Sequence, residues 1–171
     1  MIRWKWLERT FSFDYPVEKF PDLLERWRGT PARLEERLRD LPEDVLTRGD
    51  GGWTIKQNVG HLIDLDGLPV RRLAQILAGE PTLIAADISN RRTNDADHNA
   101  RPVADLLAEF RRSRLAGVTR FEAVAEADRG RSAIHPRLRQ PMRIVDILYF
   151  DSEHDDYHLA RIGELLAKFH R

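Results

Sequence analysis

The sequence predicts an all-α protein with the architecture of a four-helix bundle. Four long segments carry apolar residues at intervals of three and four, a spacing that places those residues on one face of a helix. Strand-like alternation of apolar and polar residues is rare along the chain. Antiparallel packing is the economical way to bury the four apolar faces, and the cores of such bundles host metal sites on facing helices.

The composition limits the classes of protein to which the chain can belong. The chain has 171 residues, and we expect one domain over residues 1–171, with residues 1–18 as an N-terminal arm. Its 28 basic and 28 acidic residues balance, which is atypical of a nucleic-acid-binding protein. No apolar run is long enough to span a bilayer, so we expect a cytoplasmic protein with no membrane partner. Cysteine is absent, so any metal must be held by nitrogen and oxygen ligands.

The arm and the first helical segment leave two questions open. Aromatic residues concentrate near the N-terminus: Trp4, Trp6, Phe11, Phe13 and Tyr15. Such a cluster either forms the interface of a homodimer or packs on the protein's own bundle. The first segment covers residues 20–41 and contains Thr30 and Pro31. Because Thr30 suits an N-cap and Pro31 the first helical position, this segment is either two helices or one kinked helix.

The second helical segment has clear boundaries. It begins near Thr54, with Gln57 at the capping-box position, and it ends by Gly79. Pro69 predicts a kink in this helix about two turns after His61. Its apolar members recur with helical spacing: Ile55, Val59, Leu62, Leu73, Ile76 and Leu77.

The polar connection over residues 80–101 is long for a compact domain and is predicted to be a lid, a binding loop or a disordered segment. Its histidine, His98, is interpreted as solvated rather than as a ligand. The third helix is predicted over residues 102–127, and a loop over 128–141. The arginines of the third helix are assigned to a solvated face: Arg111, Arg112, Arg114 and Arg120.

The fourth helical segment, residues 142–169, contains the most informative stretch of the chain. His154 and His158 are four residues apart, so their imidazoles leave one helix face and can converge on a metal ion. The apolar stripe of this helix, continued through its middle, falls on ionisable residues: Asp151, His154, Asp155 and His158. Burying such groups without partners is costly, and a bound cation would supply a partner.

A metal-free helix face with satisfied hydrogen bonds is the alternative explanation of the histidine pair. A metal site needs a third ligand, and His61, at the start of the second helical segment, is the best candidate. Together with the interrupted apolar stripe, His61 favours the metal site over the alternative.

Three motifs follow one another along the chain: residues 52–62 (GWTIKQNVGHL), 135–138 (HPRL) and 153–160 (EHDDYHLA). In this order, on an all-helical pattern, they resemble the motifs of the DinB-like, YfiT-like superfamily of metalloenzymes. The resemblance implies an up-down-down-up four-helix bundle that binds one divalent metal ion through His61, His154 and His158. It also implies a homodimer. One departure is visible, because the family often has a glycine where this chain has Arg139 and Gln140.

Three neutral nitrogen ligands leave at least one position open on a tetrahedral ion, the arrangement of catalytic rather than structural zinc sites. Zinc and nickel are the first candidates, followed by manganese and iron, because nitrogen donors serve all four. Metal-binding histidines usually donate their second N–H to a carboxylate or carbonyl. Candidates for this supporting role, with exposed surface acids as the alternative, are Asp151, Asp64 and Asp155. Gln57 lies one turn before His61, where it would face the open side of the metal.

Three functions stay open at this point. The first is a metal-dependent transferase in which a low-molecular-weight thiol attacks a small electrophilic substrate, as implied by relatives of that kind and consistent with the absence of cysteine. The second is a metal-dependent hydrolase that uses water. The third is a non-catalytic metal-binding or interaction domain. Under the first, the loop over residues 80–101 would close on the thiol and bind its carboxylate through Arg91, Arg92 or Arg101.

Overall fold

The computed structural model describes residues 5–170 and builds the bundle mainly from α-helices. The helices of this part of the chain are α1 (Phe20–Arg28), α2 (Thr30–Leu38), α3 (Glu43–Thr47), α4 (Ile55–Leu65), α5 (Gly67–Ala78), α6 (Arg91–Asp95), α7 (Val103–Glu122) and α8 (Ile144–Phe169). Two short strands, β1 (Ser132–Ile134) and β2 (Pro141–Arg143), pair antiparallel. Single 3₁₀ turns occupy Trp6–Glu8, Val17–Lys19, His98–Ala100 and Glu126–Asp128.

The four predicted helical segments correspond to α1 with α2, α4 with α5, α7, and α8, which confirms the all-α bundle. Helices α7 and α8 each contact both of the divided segments. One apolar cluster surrounds Trp27 and Phe121, and the other surrounds Phe110 and Ile162. A layer of buried polar side chains lies between these clusters along α7 and α8, as the interrupted stripe of the fourth segment predicted.

The first segment is two helices that meet at Gly29, and Thr30 does not cap the second of them. The prediction of an N-cap was wrong because the Thr30 hydroxyl is used elsewhere. It donates to Asp155 Oδ2 at 2.6 Å and accepts from the Arg33 guanidinium at 2.9 Å. The first segment is thereby tied to α8 through a buried side chain.

The second segment is broken at Asp66, three residues before the predicted kink at Pro69. Proline has no N–H for the carbonyl four residues earlier, and its ring crowds that carbonyl. The carbonyl that Pro69 leaves without its helical partner belongs to Leu65, the last residue of α4. At the same point the Asp66 N–H bonds to the Ile63 carbonyl, three residues earlier, at 3.2 Å. Thr54 and Gln57 form the predicted capping box at the start of α4.

Two boundaries in the second half differ from prediction. Helix α7 ends at Glu122 and a 3₁₀ turn follows it, so the helix is shorter than predicted. The segment over residues 128–141, predicted to be a loop, contains β1 and the first residue of β2, and α8 begins only after β2 ends at Arg143. Both strands are too short to show alternation. Arg139, where the family often has glycine, has a φ angle of 54°, the left-handed region that glycine adopts most easily.

The N-terminal arm packs on the bundle of its own chain, one of the two alternatives for its aromatic residues. The rings of Trp6, Phe11 and Phe13 contact Phe150 of α8, with centroid distances of 5.1, 4.8 and 6.5 Å. Trp4 lies outside the described residues. Within the described helices, none is long and apolar enough to cross a membrane.

Candidate metal centre

The packing of α4 against α8 brings three histidines together. His61 comes from α4, while His154 and His158 come from successive turns of α8. One ring nitrogen of each lies within 4.8 Å of the other two. His61 and His158 are buried, and His154 keeps 9% exposure. The structure therefore brings together the three residues that the sequence analysis predicted as metal ligands.

The ring of His61 is oriented by a hydrogen-bond chain from the 80–101 connection. A carboxylate only accepts hydrogen bonds, so the Thr93 hydroxyl donates to Asp64 Oδ2 at 2.9 Å. Thr93 Oγ1 then accepts from His61 Nδ1 at 3.0 Å. Because this places the proton of His61 on Nδ1, the lone pair of Nε2 is available to a metal ion.

The ring of His158 is oriented in the same way by Asn58. The Asn58 amide nitrogen donates to the carbonyls of Trp53 and Thr54, at 3.3 and 2.7 Å, which identifies Oδ1 as the acceptor. His158 Nδ1 donates to that oxygen at 2.9 Å. The Nε2 atom of His158 therefore also presents a lone pair.

The donor set fits a divalent cation. His158 Nε2 and His154 Nε2 are 3.2 Å apart, and two nitrogens on a tetrahedral ion, at zinc–nitrogen distances of about 2.0–2.1 Å, lie about 3.3 Å apart. Burial, followed by the charge of His154, lowers the pKa of His61 to about 3. Burial, followed by Arg114 and Arg9, lowers the pKa of His154 to about 3. Both rings are thus neutral near pH 7, as metal ligands must be.

The four predicted supporting residues lie at different distances from the histidines. Asp64 reaches His61 only through Thr93, and Gln57 accepts from the Thr54 backbone N–H in the capping box. Asp155 accepts from Arg114 and Thr30 rather than from a histidine. Within residues 5–170, Asp151 Oδ2 is buried without a hydrogen-bond partner, and burial raises the pKa of Asp151 to about 7.

His98, interpreted as solvated, is in fact buried beside the site. Its Nε2 atom contacts Asp64 Oδ2 at 3.0 Å, and its ring packs on Gly60 of α4. A Cβ atom at Gly60 would lie 2.3 Å from that ring, so only glycine permits this contact. The loop histidine helps to hold the carboxylate that orients Thr93.

Arg114, assigned to a solvated face, is fully buried in the polar layer. Its guanidinium donates to Asp66 at 2.8 Å and to Asp155 at 2.6 and 3.2 Å. It also donates to the Trp27 carbonyl at 2.6 Å and lies over the rings of Trp27 and Phe110. Arg114 therefore joins three helical segments next to the histidine turns of α8.

The histidines open into a cleft of about 680 Å³. Trp53 and Trp6 flank them, with ring centroids 4.6 Å from His61 and 5.0 Å from His154. The cleft is also lined by the 80–101 connection, through Ala86, Asp87, Ile88 and Asn90. Of the arginines proposed to bind a carboxylate there, Arg92 pairs with Asp64 and Arg101 with Glu109, while Arg91 is exposed.

The fold and site define a class of four-helix-bundle proteins with three converging histidines. The family model of the DinB superfamily matches residues 26–162, and the chain belongs to that superfamily. A protein of Bacillus licheniformis, provisionally named a metal-dependent hydrolase, is 28% identical over 166 residues, which cover 88% of this chain and 89% of that protein.

A solved structure shares the fold. It is that of YfiT from Bacillus subtilis, described as a probable metal-dependent hydrolase with an unusual four-helix bundle topology. It matches with a TM-score of 0.79, covering 94% of this chain and 93% of that chain at 19% sequence identity. At that identity the likeness concerns the fold alone.

Proposed function

We propose that this protein is a metal-dependent hydrolase of a small-molecule substrate, with one divalent ion held by His61, His154 and His158. The observation that carries the proposal is the convergence of three histidine ring nitrogens at the wall of an open cleft. A structural metal is usually enclosed by four protein ligands, whereas catalytic sites keep a position open. The provisional name of the Bacillus licheniformis relative supports the same reaction class.

Residues around the site orient the histidine rings and shield them from bulk water. When bound, the ion supplies a Lewis acid that polarises an acyl oxygen and lowers the pKa of water or of an external thiol. Thr93 and Asn58 keep the protons of His61 and His158 on Nδ1. The indoles of Trp6 and Trp53 cover the flanks of the histidines and limit the approach of bulk water.

A thiol-dependent transferase is the second candidate. The chain has no cysteine, so a thiol nucleophile would come from a low-molecular-weight thiol in the same cleft. A non-catalytic metal-binding role is the third candidate, and the open cleft favours either enzyme over it.

One experiment separates the three candidates. Protein purified without a metal-affinity column is analysed for zinc, nickel, manganese and iron, then incubated with nitrophenyl esters and anilides. In parallel it is given glutathione or another cellular thiol with chlorodinitrobenzene as the electrophile. Metal-dependent cleavage of esters or amides supports the hydrolase, and metal-dependent conjugation alone supports the transferase.

His158→Ala is the test variant, and His170→Ala is the matched control, since His170 is exposed at the end of α8. Activity must disappear in the first variant and persist in the second. If neither reaction occurs with the metal-loaded protein, the binding role takes the place of both enzymes.

The single domain, the homodimer and the cytoplasmic location stay predictions. The aromatic residues that motivated the dimer are engaged within their own chain at Trp6, Phe11 and Phe13. The dimer now rests on the family resemblance, and light scattering at micromolar protein concentration tests it.

A further inference from the structure

A second cavity of about 510 Å³ adjoins the cleft, and we call it the second lobe. The two spaces share six lining residues: Trp6, Leu7, Leu65, Ala86, Ile88 and His154. The second lobe is further lined by Leu68, Arg72, Ala85, His135, Pro136, Arg137, Phe150 and Asp151. A ligand bound there can therefore extend past His154 into the cleft.

His135 lines the second lobe and has an unused hydrogen-bond donor. Its Nδ1 atom accepts from the Leu138 backbone N–H at 3.2 Å, so a neutral ring carries its proton on Nε2. Burial, followed by the charges of Arg72 and Arg137, lowers the pKa of His135 to about 3, which keeps the ring neutral. Nε2 is buried, and no residue of the described chain accepts its hydrogen.

Two arginines add positive charge to the same wall. Arg137 Nη1 donates to the Leu7 carbonyl at 3.3 Å, while Nη2 is buried without an acceptor among residues 5–170. Arg72 is buried and donates to the Ile84 carbonyl at 3.2 and 3.3 Å. Among the described residues neither guanidinium forms a close ion pair, and Asp151 acts on Arg72 at longer range.

Asp151 is the one acid among the residues that line the second lobe, and its charge acts on Arg72. Its Oδ2 atom is buried without a donor, and burial, opposed by the charge of Arg72, raises the pKa of Asp151 to about 7. The lobe therefore contains two guanidinium groups and a neutral donor against a single carboxyl group. A buried donor left unsatisfied destabilises the protein, and a ligand that supplies an acceptor removes that cost.

We propose that the second lobe binds an oxoanion group of the substrate, a carboxylate or a phosphate, through His135 Nε2 and Arg137 Nη2. This substrate class rests on the proposed hydrolase function, with the bond to be cleaved lying at the three histidines. The apolar side chains of Leu65 and Ile88, which line both spaces, suit an apolar body for the same molecule. The second lobe thus selects substrates with an anionic head group, and the histidine site acts on the other end of the same molecule.

The test measures binding to protein freed of metal by a chelator, so it does not depend on catalysis. Phenylacetate, phenyl phosphate and the neutral phenylacetamide are titrated by calorimetry, with tryptophan fluorescence as a second signal because Trp6 lines both spaces. We expect phenylacetate, phenyl phosphate or both to bind more tightly than the amide, and the better anion identifies the head group. Arg137→Gln should weaken anion binding by about 10- to 100-fold, the range for a hydrogen bond between charged groups.

Arg120→Gln is the matched control, because Arg120 is exposed on α7 and lies outside both cavities. Arg137→Lys is a second variant that keeps the charge and loses the forked donor, so its affinity should fall between wild type and Arg137→Gln. Equal affinity for acid and amide, or an Arg137→Gln variant that binds anions like wild type, overturns the proposal. If anion binding holds while no ester or amide is cleaved, the hydrolase function fails and the anion site stands.

Discussion

Thr93→Val is the most direct test of how the centre is oriented. Valine has nearly the shape of threonine, and Thr93 is 1% exposed, so the substitution removes a hydroxyl and little else. The hydroxyl accepts from His61 Nδ1 at 3.0 Å and donates to Asp64 Oδ2 at 2.9 Å. The variant therefore breaks the link between the His61 ring and its carboxylate.

The expected magnitude follows from the partners that remain. Asp64 still pairs with Arg92 and His98, each at 3.0 Å, so the loss falls mainly on His61. A buried N–H without an acceptor costs about 1–3 kcal/mol, and removing a partner of a metal-binding histidine typically weakens the metal site 10- to 100-fold. We expect the Kd for zinc to rise by about 10- to 100-fold.

The assay is competition with a chromophoric chelator at pH 7, using zinc and protein freed of metal. Thr119→Val is the matched control, because the Thr119 hydroxyl is exposed and bonds only to the Leu115 carbonyl of its own helix. His61→Ala provides the limit of full ligand loss. If Thr93→Val binds zinc as tightly as wild type while His61→Ala binds weakly, the orienting role of Thr93 is refuted.

Three further substitutions test other parts of the structure. His154→Ala removes a ligand nitrogen and should abolish stoichiometric metal, measured by elemental analysis. Arg114→Met leaves Asp66 and Asp155 buried without their cation and should lower the free energy of unfolding by about 3–5 kcal/mol at pH 7, measured with urea. This loss should shrink at acidic pH. Burial raises the folded-state pKa of Asp66, so the buried carboxyl group is neutral at low pH and destabilises the fold only when the pH rises through that pKa. Arg139→Gly should stabilise the fold by about 0.5–1 kcal/mol in the same urea assay, since its φ is 54°; a less stable variant would contradict this account.

Residue periodicity was sufficient to predict the bundle and to place His154 and His158 together on the buried face of the fourth helix. The spacing of His154 and His158 is local, and the apolar stripe of α8 indicates which face is buried. Periodicity also contained a signal for Arg114 that was misread. Arg114 lies four residues after Phe110 and three before Gly117, both on the buried face of α7. An arginine is usually exposed, and the partners that make the burial of Arg114 favourable, Asp66 and Asp155, lie far away in sequence.

The support of His61 was not predictable from such patterns. Thr93 and His98 lie in an irregular connection, where no repeat indicates which side chains turn inward. Their placement depends on how that connection folds over α4, a tertiary event. Asn58, which orients His158, carried a usable signal, because it precedes His61 by three residues and so shares the helix face of His61. Gly60 carried another, since a glycine inside a helix is costly unless close packing requires it.

The polar layer explains why the centre is composed of nitrogen donors alone. Asp155 is adjacent to His154 in sequence, yet its carboxylate is held by Arg114 of α7 and Thr30 of α2. The cluster assembled within the described residues accordingly contains three histidines and no carboxylate. If these histidines hold a divalent ion as proposed, they would not offset its charge, which would be available to lower the pKa of a bound nucleophile. By pairing with Asp155, Arg114 keeps that carboxylate out of the histidine cluster while it joins the helical segments.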